Sequence, residues 1–290
     1  MGSPCEIQIY AEDNDQARLV FKAVTADIQR LELRYSRYRP DSYLAEINRT
    51  AAASGEIEVD AETASLLDYA ATCHQESNGL FDISSGLLRQ VWRFDSSQLP
   101  DSDELQSLLT RIGWHRLQWQ SPRLRFPIKG MELDFGGIVK EYAADRADGL
   151  CRTAGIRHGA INLGGDIKIV GPHPNGTPWR IGIRHPRNKQ AVLTTVPMTS
   201  GAMASSGDYE RCFVIDGKHY GHILNPKTGW PVSHLASVSV IADFCVIAGS
   251  ASTIALLKEA DGPSWLQSLG LAHLWVDLYG NQGGSLCCRL

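Results

Sequence analysis

Two glycine pairs near the middle of the chain limit what it can become. The first follows a β-like run and opens a helical one, Leu133-Asp134-Phe135-Gly136-Gly137-Ile138-Val139-Lys140-Glu141-Tyr142. The second separates two β-like runs, Ile161-Asn162-Leu163-Gly164-Gly165-Asp166-Ile167-Lys168-Ile169. Paired glycines reverse a chain in little space and let a ligand or another backbone approach. A helix starting at such a turn also presents unpaired N–H groups to phosphate. The first pair fits either a bare strand-to-helix turn or a phosphate cradle. The second fits either a hairpin turn steadied by Asp166 or a close ligand contact. Neither is a dinucleotide Gly-x-Gly-x-x-Gly, and the sequence holds no Walker A loop.

The rest of the chain fills in a fold around these turns. Ile7 and Ile9 alternate as a first strand should. Val20, Phe21, Val24, Ile28, Leu31 and Leu33 keep roughly the helical period within 13–38, and Pro40 ends that helix. Asp60 is placed to cap a helix over 60–77, closed by Asn78-Gly79. Further helices are expected at 101–112, 138–154, 245–258 and 263–269. Strands are expected at 159–163, 166–171, 179–184, 193–198, 211–215, 236–241 and 272–278. Long helices among hairpin-like strands make this α+β rather than a doubly wound parallel sheet. No linker divides the 290 residues, so a single domain over 1–290 is expected.

Composition excludes several functions. A net charge of −4 with no basic cluster argues against nucleic acid. No apolar run is long enough to span a membrane. The start has neither the basic nor the apolar part of a signal peptide. The seven cysteines are scattered apart from Cys287-Cys288, without a Cys-x-x-Cys pair, which argues against disulfides and structural zinc. A cytoplasmic location is the expectation.

Two later segments carry chemistry. One runs from Ala204-Ser205-Ser206-Gly207-Asp208-Tyr209 to Tyr220-Gly221-His222-Ile223-Leu224-Asn225-Pro226. His222 lies among small polar and turn residues, where side chains converge on a ligand and histidine can move a proton. The other is Ala248-Gly249-Ser250-Ala251-Ser252-Thr253-Ile254, in which Gly249 and Thr253 share a helix face.

In order along the chain, these segments resemble the ApbE family of FAD:protein FMN transferases. The likeness starts at Met1-Gly2-Ser3. It passes through Tyr35-Ser36-Arg37-Tyr38-Arg39-Pro40-Asp41-Ser42 to Asn48, and then Gly79-Leu80-Phe81-Asp82, and continues to Thr253. It implies an ApbE-like, T-fold-like architecture of antiparallel sheets packed by helices. It also implies an FAD site with magnesium at the pyrophosphate, and FMN transfer to a Thr or Ser hydroxyl of an acceptor flavoprotein with release of AMP. Acceptor segments in the family read like Asp-x-x-(Ser/Thr)-Gly-Ala-(Ser/Thr). Carried over by position, His222 handles the hydroxyl proton. Gly137, through its carbonyl, and Thr253 touch the metal. Ser42, Asn48, Asp82, Asp134, Gly136, Gly137, Lys140, Glu141, Gly164, Gly165, Asp166, Ser206 and Gly207 line the FAD pocket.

One position departs. The family reads Ala-Asp-Ala-Leu-Ala-Thr-Ala where this chain has Ala248 to Ile254, so Gly249 replaces the charged metal ligand. Glu141 in turn stands where many relatives have glycine. A neutral site holds a hard dication poorly. Three routes stay open: Asp166 or Asp243 reaches the metal, FAD and water hold it, or the protein binds FAD without turnover. A carrier, sensor, assembly partner or slow FAD pyrophosphatase is the alternative function. On this reading, Gly249→Asp should raise magnesium-dependent FAD cleavage.

Overall fold

A computed structural model describes residues 4–95, 98–209 and 211–287, with Lys189 described by its backbone alone. Met1-Gly2-Ser3, Glu210 and Cys288 fall outside the described residues. The chain opens with β1 (Cys5–Ile9), α1 (Asn14–Tyr35), α2 (Tyr43–Ala52), β2 (Glu56–Glu58) and α3 (Ala61–Glu76). A 3-10 helix (Ile83–Gln90), α4 (Ser102–Leu109), β3 (Gln118–Gln120) and β4 (Arg123–Arg125) lead to α5 (Val139–Thr153). Then come β5 (Gly159–Leu163), β6 (Asp166–Gly171), β7 (Trp179–His185), β8 (Asn188–Met198), β9 (Ala202–Gly207), β10 (Cys212–Ile215) and β11 (Lys218–Gly221). The chain closes with β12 (Leu235–Ala242), α6 (Cys245–Leu257), α7 (Gly262–Ser268), β13 (Ala272–Asp277) and β14 (Gln282–Gly283).

Seven strands form the main sheet in the order β1-β5-β6-β9-β12-β13-β14, with every pairing antiparallel. Strand periodicity splits its two faces. On β6, Val170 joins the large core under α1 and α5, whereas Ile169 points the other way. There it meets Ile181, Ile183, Val196 and Met198 of the β7–β8 ribbon. Val238 and Val240 of β12 pack with Ala251, Ala255 and Leu256 of α6. Burying each large apolar side chain contributes about 1.5–3 kcal/mol over leaving it exposed.

The helices start where the sequence says they should. Asp13, Ser42, Asp60 and Asp101 each cap a helix by accepting a backbone N–H. Several expectations need correction. The first helix stops at Tyr35, and it buries Val20, Val24, Ile28, Leu31 and Tyr35 while Phe21 and Leu33 face outward. The strand expected at 193–198 begins at Asn188, because it extends the β7 hairpin. The stretch Ala204 to Gly207, to which the sequence reading assigns no strand, belongs to β9 in the middle of the main sheet. Among the described residues, no helix is long and apolar enough to cross a membrane.

Candidate functional site

The first glycine pair ends on α5, whose N-terminus no side chain caps. Asp134 holds the approach. It accepts the Gly136 N–H at 2.9 Å and takes an ion pair from Arg37. Asn48, on α2, clamps the preceding residue with both ends of its amide: Nδ2 donates to the Leu133 carbonyl at 2.9 Å, and Oδ1 accepts the Leu133 N–H at 2.8 Å. Gly137 faces the Phe81 ring. Asn48 and Asp134 are therefore occupied in shaping the turn. Ser42 is likewise engaged, donating to the Ser36 carbonyl and accepting from Ala45. Asp82 accepts from Ser84 and from the Trp114 N–H, and it lines a surface depression with His74, His115 and Lys227.

The second glycine pair is a two-residue hairpin turn between β5 and β6, with φ of 65° at Gly164 and 98° at Gly165. Left-handed backbone at both positions is what such a turn requires. It delivers Asp166, buried, to the start of β6. There Lys140 donates to Asp166 from the first turn of α5. Burial disfavours the ammonium, but Glu141 and Asp166 outweigh it and raise the Lys140 pKa.

Glu141 is 7% exposed. Its Oε1 lies 3.6 Å from Lys140 Nζ, and its Oε2 is buried without a hydrogen-bond partner. Burial, and after it the Asp166 charge, push its pKa up to about 8 against the pull of Lys140. Ionised carboxylates are acceptors only, so the contact between Glu141 and Asp166 closes through a proton or a cation.

α6 forms the opposite wall. Its first N–H groups, of Cys245 and Val246, are capped from α5 by Asp145 at 2.8 and 2.9 Å. Ser206 of β9 bonds Thr253 at 2.9 Å and Ser252 at 2.8 Å. Gly207 admits the Tyr209 ring, which a Cβ would meet at 2.2 Å. The next residue, buried Asp208, takes a bidentate pair from Arg187 and packs its backbone against Gly221. His222 follows Gly221 directly, half-buried at the end of β11. β9 thus joins the Thr253 helix to the His222 segment. Among the described residues, no three His, Cys, Asp or Glu side chains cluster so as to hold a metal ion by themselves.

The ApbE family model matches residues 1–275. The chain belongs to the ApbE family. It is 32% identical over 234 residues to an FAD:protein FMN transferase of Chlamydia pneumoniae, covering 78% of this chain and 72% of the relative. A Klebsiella pneumoniae protein of the same name is 32% identical over 248 residues, covering 83% and 75%. The fold superposes on an ApbE protein of Thermotoga maritima with a TM-score of 0.88 at 30% identity, covering 98% of this chain and 94% of that one. It also superposes on the apo flavinyl transferase ApbE of Pseudomonas stutzeri, with a TM-score of 0.86 at 26% identity and coverage of 97% and 90%. The α+β, ApbE-like architecture expected from the sequence is therefore the one observed.

Within this ApbE fold, position 249 is filled by a residue from another helix. A Cβ on Gly249 would meet Glu141 Cγ at 2.5 Å, Cδ at 3.1 Å and Oε1 at 3.2 Å. The Glu141 side chain occupies the volume that a side chain at 249 would enter. Gly249→Asp therefore does not simply restore a carboxylate, as the sequence alone implies. Asp243 is exposed between β12 and α6, and its carbonyl accepts from Lys168. Sequence reasoning also missed Arg37 on Asp134 and Asp145 on α6. A lone arginine or aspartate carries no local pattern that would single it out.

Proposed function

We propose that the protein transfers FMN from FAD to a Thr or Ser hydroxyl of an acceptor flavoprotein and releases AMP. The observation that carries this reading is the meeting of α5, β6, β9 and α6, which gathers Lys140, Glu141, Asp166, Ser206 and Thr253. The names of its relatives support the same activity. In the reaction, the acceptor oxygen bonds to the FMN phosphorus and the pyrophosphate P–O bond breaks. AMP leaves with the electron pair.

The protein's groups divide the work. The glycine turn lets the pyrophosphate approach the start of α5, where no side chain caps the helix and its dipole favours negative charge. The Lys140 ammonium adds a fixed positive charge. His222 takes the proton that the acceptor hydroxyl loses. The residues also fit a hard cation, since a buried carboxylate oxygen lacks a partner and a threonine hydroxyl lines the facing helix. The Gly137 carbonyl and Thr253 Oγ1 would hold magnesium together with FAD oxygens. Once bound, it would neutralise charge building on the pyrophosphate. A cytoplasmic location belongs to the same reading and is supported by cysteines scattered through the chain without a Cys-x-x-Cys pair.

The test mixes protein, FAD, magnesium and a panel of acceptors bearing the Thr/Ser segment. Chromatography reads AMP, and fluorescence in a denaturing gel reads flavin that stays attached. Both signals are expected, and both should vanish with EDTA. FAD protection against melting without AMP from any acceptor would instead make the protein an FAD carrier or sensor.

A further inference from the structure

Across the interface of α5 and α6, the Glu141 side chain stands in the space beside Gly249. We propose that Glu141 is a metal ligand of this protein, supplying from α5 the carboxylate that position 249 lacks on α6. The inference rests on the FAD-transfer reading and names a residue that acts within it.

Three observations carry it. The first is occupancy: the Glu141 side chain fills the space beside Gly249, as the 2.5 Å approach of its Cγ to a Cβ there shows. Its carboxylate is therefore delivered to the face of α6 that also carries Thr253, one turn on. The second is the orphaned oxygen. Oε2 is buried with no partner, in a side chain that is more than nine-tenths covered. Leaving a buried acceptor unsatisfied is destabilising, and more so if it is charged. Such a group calls for a ligand. The third is charge. Lys140 alone faces two carboxyls, Glu141 and Asp166, and it already donates to Asp166. One carboxyl is left without a cationic partner of its own, and a dication with oxygen preference can take the place of the proton there.

This placement also explains why small residues stand on α6. Gly249 must lack a side chain to admit Glu141. Ser250 and Ser252 turn elsewhere, to Tyr69 and to Ser206.

The experiment titrates Mn²⁺ into protein with saturating FAD and reads free Mn²⁺ by electron paramagnetic resonance. FAD affinity is measured separately in EDTA. Glu141→Gln keeps the shape and removes the charge. It should weaken Mn²⁺ binding by roughly tenfold or more, at least the loss typical of a group behind a ligand. The loss of Mn²⁺ affinity should exceed any change in FAD affinity in EDTA, which reads the pocket itself. The paired exchange Glu141→Gly with Gly249→Asp returns the carboxylate from the other helix and should recover most of the Mn²⁺ affinity. Magnesium should compete with Mn²⁺ in the wild type and in the paired exchange. Wild-type Mn²⁺ affinity in Glu141→Gln overturns the proposal, as does a wild type that binds FAD but no Mn²⁺. A wild type that binds no FAD at all overturns the transfer reading beneath it, and the EDTA measurement tells the two failures apart.

Discussion

At the scale of single residues, position 249 is governed by sterics before chemistry. An aspartate added there alone meets Glu141 Cγ at 2.5 Å from its own Cβ. It also places a third carboxyl beside Glu141 and Asp166. Gly249→Asp is therefore expected to lower stability by about 1–3 kcal/mol, the usual cost of overpacking. The denaturation midpoint reads this. A midpoint equal to wild type would mean that Glu141 swings aside freely. His222→Ala removes a different element of the reaction. AMP release and flavin attachment should fall at least a hundredfold, about the contribution of one general base. FAD affinity should hold. Loss of FAD affinity instead would make His222 part of the pocket rather than a proton acceptor. The glycine pairs and His222 were visible in the sequence because each breaks a local pattern. Glu141 at Gly249 was not, since the two residues are remote in sequence and only the packing of α5 on α6 joins them.

At the scale of elements, caps made the helices legible. Asp60 announced α3 and Asp101 announced α4 by residue type and position. α6 lacks such a signal, because Phe244 stands at its N-cap and the cap arrives from Asp145 on α5. Asp145 also lies 3.4 Å from the buried Lys168 ammonium. Asp145→Ala should cost about 2–4 kcal/mol, joining the loss of a cap to a weakened buried ion pair. Chemical denaturation reads the total, and hydrogen exchange should show the first turn of α6 opening before β12. Uniform loss of protection would remove the capping role. β9 escaped notice for the opposite reason. Its sequence, Ala202-Met203-Ala204-Ser205-Ser206-Gly207, carries none of the β-branched residues that mark a strand. Small residues suit it because α6 lies on it. The central strand of the site is thus the one that propensity describes least well.

At the scale of the molecule, charge ties α1, α3 and α5 into one layer. Arg30 of α1 pairs with Glu62 of α3 at 2.6 Å, and Arg146 of α5 pairs with Asp27 of α1 at 2.6 Å. The Arg30 hydrogen bond holds Glu62 below its ordinary pKa of 4.5, against burial. For Asp27, burial pulls upward, but Arg146 and Arg30 outweigh it and leave the pKa lowered from 3.8. A carboxylate with a depressed folded-state pKa contributes its full stability above the unfolded value. That contribution is lost as pH falls through the folded one. The melting temperature should therefore drop as pH goes below about 4.5, and Glu62→Gln should flatten the drop. An unchanged slope would mean that other carboxylates control acid unfolding. The side chain of Glu141 in the place of one at position 249 has a historical consequence. A lineage moving between an acid on α6 and an acid on α5 cannot do so neutrally one substitution at a time. One intermediate has no carboxylate at that spot, and the other has two in the space of one. With Glu141 as the proposed ligand, the two positions depend on each other, and a motif search that scores α6 alone would miss the carboxylate that stands beside it from α5.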